Sequence, residues 1–171
     1  ELGIRGPFGK PWPINAILNK NVIVAAGGIG LAPLRGLINC IANSDEKRKA
    51  KGLFTHIYYG ARSVSDQIFQ NDREYWNELK SASLFQSVDH VETEAFSNQK
   101  HKLRWSIGII TNLIKTLPGL CESTITVSCG PDLMMRSVAE KCIQLGMAEK
   151  DIFISTINWC RIFTTRQICF Y

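Results

Sequence analysis

No stretch of this 171-residue chain is apolar for the roughly 18 residues that a membrane-spanning helix needs. The longest apolar candidates, 21–26 and 106–114, suit a buried strand and a helix instead. The six cysteines, Cys40, Cys121, Cys129, Cys142, Cys160 and Cys169, include no CxxC pair and no zinc-ribbon spacing. Cys40 and Cys142 fall on apolar faces of predicted helices, where a thiol packs as a small hydrophobe. A reduced, cytoplasmic protein is therefore expected rather than a disulfide scaffold, and no metal site is assigned. Twenty Lys and Arg against fifteen Asp and Glu give a net charge of +5, but these charges form no stripe. Nucleic acid is thus not an expected partner. The densest charged run, 45–51, mixes signs and reads as a solvated loop. The first residue, Glu1, is not methionine, and no basic-then-apolar leader follows it. Internal repeats and low-complexity segments are absent as well.

What is present is an alternation. Glycine and proline crowd 2–14, which excludes a helix there and reads as turns joining extended pieces. The run 21–26 (NVIVAA) is a short β-branched stretch expected as a buried parallel strand. A helical spacing follows over 33–42, with Leu34, Leu37, Ile38 and Ile41 apolar. A second strand is predicted at 53–59, a helix at 72–81, a third strand at 85–92 and a helix at 105–117 stopped by Pro118-Gly119. A fourth strand at 123–129, a helix at 131–145 closed by Gly146 and a fifth strand at 151–155 complete the order. Strands alternating with helices predict an α/β fold with a five-stranded parallel, doubly wound sheet.

In such sheets ligands bind beyond the carboxyl ends of the strands. The loop after the first strand is Gly27-Gly28-Ile29-Gly30-Leu31-Ala32-Pro33. Glycines let the chain turn sharply and bring backbone N–H groups near an anion, and the next helix turns its positive dipole end to a phosphate. The third glycine of the common dinucleotide fingerprint is replaced by Pro33, so this is a different variety of site. A tight turn without a ligand is the alternative. After the second strand, Arg62 and Ser63 suit the ribose and phosphate of an adenosine, though surface arginines are common. After the fourth, Cys129-Gly130-Pro131-Asp132 places a small thiol and a glycine where a planar ring could approach. Cys129 is equally readable as a buried strand-end residue.

Together the ordered motifs Gly6-Pro7-Phe8-Gly9, Gly27-Gly28-Ile29-Gly30-Leu31-Ala32-Pro33-Leu34, Tyr59-Gly60-Ala61-Arg62 and Cys129-Gly130-Pro131-Asp132-Leu133-Met134-Met135 resemble the NAD(P)-binding half of the ferredoxin–NADP reductase superfamily. Within it the chain looks closest to electron-transfer (gamma or B) subunits of hydrogenases and anaerobic sulfite reductases, with the dihydroorotate dehydrogenase electron-transfer subunit more distant. The resemblance implies a strand order of 3-2-1-4-5. It places Gly27, Gly28, Ile29, Gly30, Ala32 and Pro33 along the NAD(P) pyrophosphate, Arg62 and Ser63 on the adenosine side, and Cys129, Gly130, Pro131 and Asp132 beside the nicotinamide. Cys129 is the residue expected at the reaction centre, lining the ring rather than attacking it; no general acid, base or nucleophile is assigned. The implied activity is that of an NAD(P)H-dependent flavin oxidoreductase subunit, with hydride passing between nicotinamide and flavin and electrons leaving through an iron–sulfur partner subunit.

The same resemblance divides the chain. Residues 1–20 read as the linker from a flavin-binding β-barrel that would carry FAD, 21–155 as the NAD(P)-binding domain, and 156–171 as a divergent tail. The barrel with its Arg-x-Tyr-Ser/Thr motif is not in this sequence, so the chain reads as a fragment or truncated product. The related subunits bind a [2Fe–2S] cluster with four tail cysteines. Here only Cys160 and Cys169 follow Ser155, so no cluster is assigned; a shifted reading frame or divergence would each explain the tail. The rival reading is a truncated nucleotide-binding module without turnover of its own.

Overall fold

A computed structural model describes residues 11–90, 105–114 and 123–155 of the chain. After a short helix α1 (Ile14–Leu18) come β1 (Asn21–Gly27), α2 (Leu31–Ala42), α3 (Asp45–Ala50) and β2 (Thr55–Ala61). Then follow α4 (Gln70–Asn77), β3 (Ala82–Val88), β4 (Ser106–Ile107), β5 (Thr124–Cys129), α5 (Asp132–Gln144) and β6 (Ile152–Ser155). Single 3-10 turns occupy Gly28–Gly30, Ile110–Leu113 and Glu149–Asp151.

The sheet has six strands in the order β4-β3-β2-β1-β5-β6, and each neighbouring pair is parallel. The five predicted strands keep the order 3-2-1-4-5 within it, and β4 is the added edge. The expected count of five is corrected to six. Residues 105–114 hold no α-helix, contrary to the expected helix at 105–117, whose last residues lie outside the described set. Ser106 and Ile107 instead pair with Ser87 and Val88 at the free edge of β3, and Ile109 is extended (φ −70°, ψ 133°). Backbone pairing at an open strand edge outweighed an apolar spacing that suits either state.

β1 is buried from Val22 to Gly27 because both faces of the sheet are covered. On one face Leu31, Leu34, Leu37, Ile38 and Ile41 of α2 and Trp76 of α4 pack on Val22, Val24 and Ala26. On the other, Met135, Val138, Ala139 and Cys142 of α5 pack on Ile23, Ala25 and Ile154. Ile17 of α1 is fully buried in the first cluster, so packing begins inside the segment expected as linker.

The charged run 45–51 is also corrected: Asp45–Ala50 is helical, and its Asp45 and Arg48 are buried. Asp45 accepts hydrogen bonds from the backbone N–H of Lys80 (2.8 Å) and Ser81 (2.8 Å) and from the Ser81 hydroxyl (2.5 Å). Arg48, 1% exposed, donates to the carbonyls of Ile17 (2.9 Å), Lys20 (3.0 Å) and Phe54 (3.0 Å) and to Thr55 Oγ1 (3.1 Å). These bonds tie α1, α3 and the starts of β2 and β3 together at the amino ends of the strands. Among the described residues no helix is long and apolar enough to cross a membrane.

Candidate functional site

Because every strand runs the same way, the carboxyl ends of β1, β2 and β5 share one edge. The order reverses between β1 and β5, which adjoin with Ala26 opposite Cys129. Connections leave the sheet in opposite directions at this point and open a crevice between them. The loops Gly27–Gly30 and Cys129–Asp132 flank it, and α2 and α5 begin from it.

Each loop is shaped by a distinct constraint. Gly28 has φ +52°, the left-handed region, and a Cβ placed on it would meet no heavy atom within 4 Å. Gly30 is buried for a different reason. A Cβ there would overlap the Cys129 carbonyl oxygen and stand 2.5 Å from Cys129 C and 2.7 Å from Gly130 Cα. The two loops are therefore in backbone contact, and Gly28 faces open space beside that contact. Ile29 between them is 65% exposed. Gly30 leads directly into α2, so Ala32 and the exposed Pro33 lie in its first turn; Pro33 lacks an N–H where no helical acceptor exists. Pro131 precedes α5 as its N-cap, with Asp132 exposed in the first turn and Leu133 78% exposed.

The expected role of the Cys129 side chain as a lining surface is not met, since Cys129 is fully buried among Ala26, Leu31 and Val127. Burial pushes its thiol pKa up, and hydrogen bonds from Ser155 and the Gly130 backbone only partly oppose that. The sulfur stays protonated and inside the core. What Cys129 brings to the crevice is its carbonyl, against Gly30.

One strand away, Arg62 is exposed just past the end of β2, and its carbonyl accepts the N–H groups of Asp89 (3.1 Å) and His90 (3.1 Å). Ser63 is 2% exposed and does not face outward with it. Its hydroxyl donates to Asp66 Oδ2 (3.0 Å), lies 2.8 Å from Ser65 Oγ and accepts the Asp66 N–H (3.3 Å). Ser63 thus closes the loop on itself, as hydroxyl residues at turns do. Arg73, the next cation along the chain, is 4% exposed; it bonds the Ile68 carbonyl (2.9 Å), Gln67 (3.0 Å) and Gln86, and lies over the Tyr59 ring. It is not free to meet an anion. Sequence reasoning also missed Phe69, the only non-glycine residue with positive φ (56°) among those described. Its ring lies 4.9 Å from the Arg35 guanidinium, which bonds Asp72 at 2.7 Å and so fastens the β2–α4 loop to α2.

The structure therefore brings Gly27, Gly28, Ile29, Gly30, Ala32, Pro33, Cys129, Gly130, Pro131 and Asp132 to one crevice and leaves Arg62 on the same edge. Among the described residues no group of three or more His, Cys, Asp or Glu is placed to hold a metal ion. Cys160 and Cys169 lie outside the described residues.

The chain is similar to known proteins. Residues 24–140 match the family model described as oxidoreductase NAD-binding domain. The sulfhydrogenase 2 gamma subunit of Pyrococcus furiosus is 26% identical over 163 residues, covering 90% of this chain and 53% of that protein. The dihydroorotate dehydrogenase B (NAD(+)) electron transfer subunit of Clostridium acetobutylicum is 27% identical over 144 residues, 84% of this chain and 46% of that one. The chain spans about half the length of these relatives. The Amycolatopsis cytochrome P450 reductase GcoB superposes with a TM-score of 0.61 at 19% identity, over 89% of this chain and 41% of the other, a likeness of fold alone. With more than half its length matched, and the resemblance to ferredoxin reductases upheld, the chain belongs to the oxidoreductase NAD-binding domain family.

Proposed function

We propose that this chain is the NAD(P)-binding part of a flavin-dependent oxidoreductase electron-transfer subunit, with the dinucleotide lying across the carboxyl edge from β2 to β5. The observation that carries the reading is the pair of glycines after β1: Gly30 interlocked with β5, and Gly28 beside it with open space where a side chain would otherwise stand. A pyrophosphate fits such a cradle, since the first turn of α2 offers N–H groups and a positive dipole end. Its adenosine end lies toward Arg62 and its nicotinamide end toward Gly130 and Pro131. Ile29, Ala32 and Pro33 flank the pyrophosphate, and Asp132 lies beside the nicotinamide end. Ser63 contributes indirectly, by holding the loop that presents Arg62.

When bound, the dinucleotide supplies the hydride chemistry; this chain binds, orients and excludes water from it. The buried Cys129 thiol holds its proton and acts as a wall of the core beneath the crevice. We place FAD in a second domain and iron–sulfur centres in a partner subunit; the relatives named as a hydrogenase gamma subunit and an electron transfer subunit favour the existence of that partner. The three free cysteines among the described residues suit a reducing compartment such as the cytoplasm.

Calorimetry of the chain with NADH and NADPH tests the binding step, and stopped-flow spectra of the full-length protein test the rest. Saturable binding and bleaching of a flavin band by NAD(P)H are expected. A chain that binds either nucleotide, within a full-length protein whose flavin is not reduced, would leave only the module without turnover.

A further inference from the structure

The contact between the two loops contains one flexible side chain. A Cβ at Gly27 would stand 2.6 Å from the sulfur of Met134 and 2.8 Å from Pro131 Cδ. A Cβ at Gly130 would stand 2.9 Å from Met134 Cε and 3.0 Å from the Gly27 nitrogen. The thioether therefore lies across both glycines, bridging the last residue of β1 and the turn after β5. Of the three methionines, Met135 and Met147 are core residues at 2% and 4% exposure, whereas Met134 is half-buried. It leaves the first turn of α5 and ends at the strand-order reversal rather than in either core cluster's interior. An unbranched, polarisable side chain suits an irregular gap between two backbones.

We propose that Met134 is a positioning residue for the nicotinamide end of the dinucleotide. Its thioether holds Gly130 at a fixed height against Gly27, and that height sets the floor on which a planar ring rests. Gly28 and Gly30 are held differently: the atoms nearest a Cβ at Gly30 are the oxygen and carbon of the Cys129 carbonyl, with Gly130 Cα next at 2.7 Å. Removing the thioether frees the turn at Gly130, whereas the Cys129 carbonyl, held in β5 between β1 and β6, keeps Gly30 and the pyrophosphate seat in place. The two halves of the ligand should therefore respond unequally. This inference rests on the dinucleotide reading of the crevice.

The test compares NADH with ADP-ribose, which keeps the adenosine and pyrophosphate but has no nicotinamide. Calorimetry on the full chain, with thermal unfolding recorded for each variant, separates binding from folding. Met134→Ala is expected to lower NADH affinity about tenfold and ADP-ribose affinity by less than about twofold. Met134→Leu, similar in volume, should stay within about threefold of wild type for both ligands. Met134→Gln keeps the length without the sulfur and should repeat the NADH-selective loss even if the alanine variant fails to fold. Equal losses for both ligands, wild-type NADH affinity in the glutamine variant, or equal affinity of the wild type for NADH and ADP-ribose would overturn the proposal. Wild-type protein that binds neither nucleotide would overturn the site itself, a different and separable result.

Discussion

Alanine at Gly30 and at Gly28 should damage the protein in opposite ways, although only Ile29 separates the two positions. At Gly30 the new methyl would overlap the Cys129 carbonyl oxygen and stand 2.5 Å and 2.7 Å from two further backbone atoms, where carbon contacts favour about 3.5–4.0 Å. Those atoms end or adjoin β5, which is paired with β1 on one side and β6 on the other, so β5 cannot yield. The loop carrying Gly28–Gly30 must lift by roughly 1 Å, an overpacking that costs about 2–3 kcal/mol. For a domain of this size that is a fall in Tm of roughly 5–10 °C. At Gly28 the methyl meets nothing, and only the left-handed backbone (φ +52°) is penalised, by about 1–2 kcal/mol or roughly 2–6 °C. That methyl projects toward the proposed pyrophosphate, so NADH affinity should fall at least about tenfold in a variant that stays largely folded. Thermal unfolding and calorimetry on both variants decide the matter. A Gly30→Ala protein melting with the wild type would refute the interlock, and a Gly28→Ala protein with wild-type NADH affinity would refute the pyrophosphate seat.

Arg48→Ala should destabilise the chain by about 3 kcal/mol in urea unfolding, because four acceptors in and around α1, β1 and β2 lose their donor inside the protein. Nucleotide binding at the opposite edge should be unchanged in the fraction that remains folded. Arg62→Ala should weaken NADPH more than NADH, by about tenfold against about twofold, if the exposed guanidinium meets a 2′-phosphate; equal losses would move that contact elsewhere. Stability should peak between about pH 7 and pH 8. Burial depresses the His56 pKa, so below about pH 6.5 the unfolded chain takes a proton that the folded one resists, and stability falls. Burial raises Cys129 and Cys142 and pushes Tyr58 up to about 12, so above about pH 8.5 the unfolded chain releases protons that the folded one keeps, and stability falls again. Urea midpoints measured across this range check both limbs, and His56→Phe should flatten the acid one.

The parallel sheet and the glycine loop were legible because β1 is apolar on both faces and is followed at once by Gly27-Gly28-Ile29-Gly30 and an amphipathic helix. Local signals failed where long-range partners decide. Ser106–Ile107 became a strand because β3 had a free edge, which no window around 105–117 reveals. The run 45–51 looked solvated because it mixes charges of both signs between two apolar segments. Yet Asp45 and Arg48 lie three apart on one helical face, and acidic residues open that helix while basic ones close it; this arrangement was a readable sign of a helix whose charges match its dipole and whose one side is polar and buried. β3 begins three residues earlier than expected because Ala82–Val88 takes its register from β2. At the site, spacing identified which loops meet but not which atoms they present. Cys129 stood in the right motif, but strand alternation turns its sulfur into the core beside Ala26. Met134 stands in the same motif, but no local signal in that helix shows which gap its thioether fills.

The most direct measurement is a titration of the isotope-labelled full chain with NADH, followed by backbone amide NMR. The account predicts saturable shifts at Gly28, Ile29 and Gly30 and at Gly130, with smaller changes near Arg62. Amides at the opposite edge, such as Lys51 and Gly52, should stay still. Shifts centred on that opposite edge, or none at any NADH or NADPH concentration, would contradict the dinucleotide site.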